Sequence, residues 1–262
     1  MKNLRILPAF ILGTILFLFS CKKNDDDTTA ACRVSKVYLY DSTNVYDSAL
    51  YTYTGDLVTK SQMSGEYYTL EYNAAGLVTK RSHYTALAAM VADDYWLATY
   101  NAANNISKIE MYERSGSTYT LNGYVDFTYT AGKLSKTTAY DMVAGIPSKT
   151  EEDNYTYSGN NITMVSTTYY FGGQTFSFSA TYSYDANANY LKKQQAQMYL
   201  VDPNFIYLDP SLLPFALSEN NVTAVNIQGT VYSVSYLLDQ NQNVSQFSID
   251  NQTVASYSYQ CP

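Results

Sequence analysis

Along most of this chain apolar and polar residues alternate with a period of two, in short runs broken by turns rich in Gly and Asn. Phe176, Phe178, Ala180, Tyr182 and Tyr184 share one side of such a run, and Ser177, Ser179, Thr181 and Ser183 share the other. Val125, Phe127 and Tyr129 alternate in the same way with Asp126 and Thr128. The pattern predicts antiparallel strands with one face buried and one wet, because successive side chains on a strand point to opposite sides.

The runs form a repeat. One unit is a Tyr-rich strand, a Gly/Asn turn and a second strand that opens aliphatic–Ser/Thr–Lys. Examples are Tyr72…Gly76-Leu77-Val78-Thr79-Lys80, Tyr100…Asn104-Asn105-Ile106-Ser107-Lys108 and Tyr129…Gly132-Lys133-Leu134-Ser135-Lys136. Aligned anchors are Val34, Val58, Val78, Ile106, Leu134, Ile162, Leu191, Val222 and Val244, and three successive steps between them are 28 residues. Gly55, Gly76, Asn104-Asn105, Gly132, Gly159-Asn160 and Asn220-Asn221 stand at the turns, where Gly and Asn best tolerate positive φ. Ser64-Gly65, Gly172-Gly173, Gln228-Gly229 and Asp250-Asn251 supply second turns inside the segments. Nine such segments predict an all-β, up-and-down meander of roughly 18 short strands. Two excursions interrupt it, 86–94 and 203–214; Ala86-Leu87-Ala88-Ala89-Met90 has the composition of a helical turn.

The ends of the chain fall at complementary phases of the repeat. Val34-Ser35-Lys36 opens as a strand after a turn, with no strand before it, and Tyr257-Ser258-Tyr259 closes as a strand before a turn that never comes. Cys32 and Cys261 stand where that turn would be. The expectation is a closed or nearly closed sheet whose first and last strands pair, with a Cys32–Cys261 disulfide across the gap. Closure removes both exposed sheet edges. The alternative is two cysteines that stay apart or cross-link subunits.

Composition agrees with a β protein: 29 Tyr, all from Tyr38 onward, with abundant Ser, Thr and Asn. The formal net charge is −7, without a basic run, which argues against a nucleic-acid partner. Lys2 and Arg5 precede an apolar run from Ile6 to Phe19, too short for a confident membrane helix and ending Leu18-Phe19-Ser20-Cys21. This segment resembles the lipobox of bacterial lipoproteins, in which the Cys is lipidated and becomes the N-terminus; an ordinary signal peptide with a chance Cys is the other reading. The following Lys22-Lys23-Asn24-Asp25-Asp26-Asp27 resembles the tether of Bacteroidota surface lipoproteins, where acidic residues beside the lipidated Cys direct export to the cell surface. An EF-type calcium loop would need alternating ligands, a Gly and a distal Glu, which this run lacks. The domain plan is a signal peptide (1–20), a lipidated Cys and disordered tether (21–31) and one β-repeat domain (32–262).

The Tyr-x-Tyr-Asp pattern at Tyr182-Ser183-Tyr184-Asp185 resembles the YD/RHS repeat, although Tyr53, Tyr72 and Tyr129 are followed by Thr54, Asn73 and Thr130. The chain beyond Cys32 resembles a Bacteroidota surface lipoprotein family of unknown function with a porin-like antiparallel β fold. Here the strands read as short and their second face as Ser, Thr, Lys and Gln, so a soluble barrel or curled sheet is expected, not a membrane-spanning one. A hollow cylinder of that size must flatten, curl incompletely or fill its lumen with Tyr and Phe rings.

Catalytic patterns are sparse. His83 is the only His, reads as a surface residue, and supports neither a zinc site nor a Ser-His-Asp relay. Glu151-Glu152-Asp153 and Asp93-Asp94 are candidate carboxylate pairs for glycoside hydrolysis but read better as solvated loop charges. No enzyme activity, cofactor or metal is expected. The reading is a lipoprotein of the outer membrane, held by its N-terminal lipid only and exposed at the cell surface, or alternatively facing the periplasm. It acts as a non-catalytic binder of an extracellular glycan or protein. Candidate ligand-contacting residues are Tyr95 and Trp96 at the end of the first excursion and Phe205 and Tyr207 in the second. A structural or assembly role at the outer membrane and an unrecognised hydrolase are the alternatives.

Overall fold

A computed structural model describes residues 32–41, 44–189 and 213–261. The expected signal peptide and tether with Cys21, the expected anchor Leu191, and Phe205 and Tyr207 lie outside the described residues. Along the chain the strands are β1 (Arg33–Asp41), β2 (Asn44–Thr54), β3 (Leu57–Gln62), β4 (Tyr67–Tyr72), β5 (Val78–Tyr84), β6 (Asp94–Tyr100), β7 (Ile106–Ser115) and β8 (Thr118–Thr130). Then follow β9 (Lys133–Val143), β10 (Ile146–Ser158), β11 (Asn161–Phe171) and β12 (Gln174–Ala188), a single helical turn α1 (Leu213–Leu217), and β13 (Asn220–Ile227), β14 (Thr230–Leu238), β15 (Val244–Ile249) and β16 (Gln252–Gln260). Each strand pairs antiparallel with its chain neighbours, and β16 pairs with β1 to close a barrel.

The described residues hold 16 strands rather than the roughly 18 expected from the repeat. In the barrel β12 pairs directly with β13, Tyr184 opposite Val222, so no strand pair stands between them in the closed ladder. Asn220 and Asn221 accordingly sit at the start of β13, not in a turn. Ala86–Met90 also differs from expectation: the Ala89 amide donates to the Ala86 carbonyl, and the segment stays a turn without becoming a helix.

The repeat motif has a mechanical explanation. The eight described anchors, Val34, Val58, Val78, Ile106, Leu134, Ile162, Val222 and Val244, are only 0–4% exposed and ring the barrel interior at one end. Immediately after each anchor the ladder slips by one residue. For example, Tyr72 pairs with Val78 but Glu71 with Lys80, which leaves Thr79 as a bulge. A bulge leaves a carbonyl on the partner strand without its ladder amide. The Ser/Thr of the motif occupies the bulge and its hydroxyl donates to that strand: Thr59 to the Thr52 carbonyl, Thr79 to Glu71, Ser107 to Thr99, Ser135 to Thr128, Thr163 to Thr156, Ser245 to Leu237, and Ser35 to Ser258.

The Tyr of the motif completes the unit. Tyr53, Tyr72, Tyr100, Tyr184 and Tyr259 point inward, and each hydroxyl donates to the carbonyl of an anchor on the neighbouring strand that precedes it in the chain: Val34, Val58, Val78, Ile162 and Val244. Burial pushes the phenols of Tyr53, Tyr72, Tyr100, Tyr157 and Tyr184 well above their ordinary value, and that of Tyr129 up to about 12. These phenols therefore stay protonated, and those of Tyr53, Tyr72, Tyr100 and Tyr184 keep donating. The turns share a device as well. Asn73, Asn101 and Asp239 each accept two backbone amides through Oδ1, so Asn serves in the turn as Asp does. Two-residue hairpins manage without it: Ala131 and Gly132 both take positive φ, as a type I′ turn requires.

Every strand contributes to one core cluster, so the lumen is filled at the anchor level. α1 helps to fill it. Leu213, Phe215 and Ala216 are buried, and the Phe215 ring meets Phe247 edge-on at 5.8 Å. Asn189 holds this turn by donating to the Phe215 and Ser218 carbonyls at 2.8 Å, and the Ser218 hydroxyl accepts the Ile162 amide. Cys32 and Cys261 are bonded, with Cα atoms 4.1 Å apart, and stand in for the missing turn between β16 and β1. A cross-link that closes so long a loop stabilises by about 5 kcal/mol in the chain-entropy account.

Tyr100→Phe and Tyr72→Phe should each lower unfolding free energy by about 1 kcal/mol in urea titrations, since each leaves an anchor carbonyl without its donor. Tyr124→Phe, whose ring lies on the outer wall, should change it by less than about 0.5 kcal/mol.

Candidate functional site

The barrel has two unlike ends. Its proximal end carries the termini, the disulfide and the Gly/Asn turns, and is filled by anchors and α1. Its distal end carries the second turn of each repeat, and here the inner wall becomes polar and more exposed.

The outer wall holds a band of tyrosines and lysines. Tyr67 stacks on Tyr84 at 4.3 Å, Tyr95 on Tyr112 at 4.8 Å and Tyr124 on Tyr140 at 4.7 Å, each pair bridging adjacent strands. Rings stacked across strands turn their faces along the sheet and their edges outward. The motif lysines cover further faces: Lys60 over Tyr67 and Lys108 over Tyr124 at 4.2 Å, and Lys80 over Tyr95 at 5.0 Å. Outward-facing Ser82 and Thr138 are buried in this band, so it acts as a water-excluding sheath. With ring faces occupied by each other and by ammonium groups, the band is built for packing and not for stacking sugars.

Inside, the bulges decide which residues face the lumen. Past the bulge at Thr79, Lys80 points outward and Arg81 inward. Arg81 is 2% exposed, and its guanidinium lies 4.1 Å over the Trp96 ring and 4.5 Å from that of Tyr68. On the opposite wall Asp153 accepts hydroxyls from Thr137 and Thr167, both at 2.8 Å. His83, expected at the surface, sits on the inner rim. Its Nδ1 is 2.7 Å from Asp94 and its Nε2 3.2 Å from Glu66, with its ring stacked on Tyr68 at 4.5 Å. Burial pulls the His83 pKa down, but the hydrogen bonds and charges of Asp94 and Glu66 outweigh it, and the net shift is upward.

Beyond these lies the distal rim. Ladder register places Asp47, Glu113, Asp141 and Glu151 on the inner face, with Asp94 and Glu66 beside His83. The wall from β11 to β14 is aromatic instead: Tyr169 and Phe178 pack at 6.0 Å, and Phe176 and Tyr232 share that face. Outside the mouth the hairpin tips carry apolar side chains in the open. Among the described residues twelve large hydrophobic or tyrosine side chains are exposed, and all but Leu50 and Leu237 lie on distal hairpins. Met90 is 95% exposed, Phe171 80% and Ile146 69%. The β5–β6 tip is held firmly, since Tyr67 donates to the Ala89 carbonyl, Tyr119 to that of Ala92, and Arg114 pairs with Asp93 at 2.8 Å.

The structure separates the residues expected to contact ligand. Tyr95 lies in the outer sheath, while Trp96 faces the lumen beneath Arg81; the two occupy opposite faces of β6. The candidate carboxylate pairs separate likewise. Glu152 faces outward toward Lys149 and Lys136, whereas Glu151 and Asp153 face inward. Asp93 accepts from Thr85 and Arg114 on the outer side, whereas Asp94 binds His83. No group of three or more His, Cys, Asp or Glu suited to hold a metal ion occurs among the described residues.

No family model and no curated protein matches the chain. Among solved structures it is similar to a porin-like protein from Bacteroides uniformis, at 14% identity, covering 87% of this chain and 96% of that one with a TM-score of 0.44. A porin-like protein from Bacteroides vulgatus matches at 12% identity over 87% and 98%, TM-score 0.40. A protein of unknown function from Bacteroides fragilis matches at 11% over 50% and 87%, TM-score 0.30. The architecture described above rests on this chain's own strand pairing.

The raised His83 pKa makes its ion pairs pH-dependent. Their stabilisation is fully present below about pH 6.5, the unfolded value, and is lost as pH rises through the higher folded value. Chemical denaturation between pH 5.5 and pH 9, as a rough window around that value, should show a midpoint that falls with pH in the native chain but less in His83→Gln. Equal slopes for the two would contradict the His83 bridge.

Proposed function

We propose that the protein is a non-catalytic binding module, tethered through lipid on Cys21 to the outer membrane and exposed at the cell surface, and that its ligand docks at the distal mouth. The observation that carries this reading is the concentration of exposed apolar side chains on the distal hairpins. Apolar tips held in water without a partner cost solubility, and a contiguous set of them is the mark of a binding surface. The ligand class is an extracellular glycan or protein.

The outer wall argues for a water-soluble barrel. Lys36, Lys60, Lys80, Lys108 and Lys149 stand on it over tyrosine rings, and Lys80–Glu71 and Lys108–Glu110 pair along it. A lysine facing lipid at the bilayer midplane costs about 2–4 kcal/mol. Five of them, with carboxylates between, outweigh what the exposed Leu50 and Leu237 could return. Lipidation would then supply the only contact with membrane.

The test is a binding screen of the chain from Lys22 onward against glycan and extracellular protein panels, run beside Ile146→Ser/Phe171→Ser. The reading expects a detergent-free monomer with at least one hit that the double variant loses. Hits kept by the variant, or a barrel that needs detergent, would contradict it.

A further inference from the structure

We infer that the distal mouth takes a basic polypeptide segment, one that presents Lys or Arg side chains between apolar ones. This rests on the reading of the mouth as a binding face and names its ligand class. Three observations lead there.

The first is charge. Among the described residues the inner rim from β2 to β10 carries carboxylates from six positions, and His83 is the one basic side chain set among them at that level. The lumen wall around them excludes water on one side, which strengthens their field toward anything entering the mouth. Glu113 and Asp141 are exposed at the rim, so their charge is available to a partner. The second is the aromatic wall opposite. Tyr169, Phe176 and Phe178 present rings, suited to the aliphatic stem of Lys or the plane of Arg. The third is the collar. Met90, Ile146 and Phe171 project around the acidic rim from three different hairpins, ready for apolar residues that flank a cationic one.

The same features disfavour other occupants. A second copy docking mouth to mouth would press two acidic rims together. An anionic lipid surface would meet the same repulsion. The path of the chain also points away from a membrane: the 31 residues before Cys32 join the barrel at its proximal end, opposite the mouth. Eleven of them, from Cys21 to Ala31, span at most about 40 Å when extended. A barrel held there stands with its mouth turned outward. A neutral glycan would make no use of the carboxylate surplus.

The probe is a short fluorescent peptide alternating Lys and Leu, with its Glu–Leu counterpart, a neutral oligosaccharide panel and anionic vesicles as the other arms. Fluorescence anisotropy with the chain from Lys22 onward should show binding of the Lys–Leu peptide alone, weakening as salt is raised. Glu113→Gln/Asp141→Asn should weaken it about tenfold, and Ile146→Ser/Phe171→Ser by a similar factor. The outer-wall pair Glu71→Gln/Asp126→Asn removes the same charge and should leave binding unchanged. Equal loss in the outer-wall pair would reduce the effect to bulk charge and overturn the inference. Oligosaccharide or vesicle binding that the mouth variants abolish would overturn the peptide class while keeping the mouth as a binding face. Absence of binding in every arm would overturn both.

Discussion

The structure depends on one repeated contact: an inward tyrosine hydroxyl donating to the carbonyl of a buried anchor. A barrel of this size gains little from curvature alone, and its interior would fill with water if nothing crossed from strand to strand. The tyrosine fills volume with its ring and satisfies backbone with its tip. Each hydroxyl ties a strand to the neighbour that precedes it, as Tyr100 on β6 does to Val78 on β5. The bulge after the anchor makes the geometry possible, and the Ser or Thr in the bulge keeps the partner carbonyl satisfied. Three consecutive residues of the motif thus have three separate tasks. The aliphatic residue is core, the hydroxyl residue repairs the ladder, and the lysine caps an outer ring.

This division of labour explains what could be read from sequence and what could not. The alternation of Val125, Phe127 and Tyr129 with Asp126 and Thr128 survives intact because no bulge interrupts it, and the buried face is the expected one. The complementary phase of the chain ends likewise foretold the pairing of β1 with β16 and the Cys32–Cys261 bond. Arg81 and His83 were not legible. Counted by strict alternation from Val78 they fall on the outer face, but the bulge at Thr79 reverses the parity and sends both inward. The lysine two places after Val34, Val58, Val78, Ile106 and Leu134 is the signal that could have shown this, since a lysine in phase with a buried aliphatic residue demands a slip between them. The turn expected at Asp185–Asn189 differs for another reason: Tyr184 already finds Val222 on β13, so the closed ladder holds no strand pair between β12 and β13.

The same contrast separates the two ends in function. Everything at the proximal end is committed to structure: anchors, tyrosine tips, α1 and the disulfide. The outer wall is committed as well, its rings stacked on one another and beneath lysines. The recognition face we propose is the distal end, where carboxylates, aromatic rings and bare apolar tips meet. Tyr95 and Trp96, chosen for their aromatic character, turn out to belong to the sheath and to the lumen packing. The binding face we propose rests on side chains such as Glu113, Asp141, Ile146 and Phe171.

Closure of the sheet by its first and last strands is the central claim, and amide hydrogen exchange tests it directly. If β1 and β16 are interior strands of a closed ladder, the amides of Val37, Leu39, Ala255 and Tyr257 should be protected to the same degree as those of Val125 and Phe127 in β8. Exchange at β1 and β16 at the rate of an open sheet edge, with β8 still protected, would contradict the closed barrel.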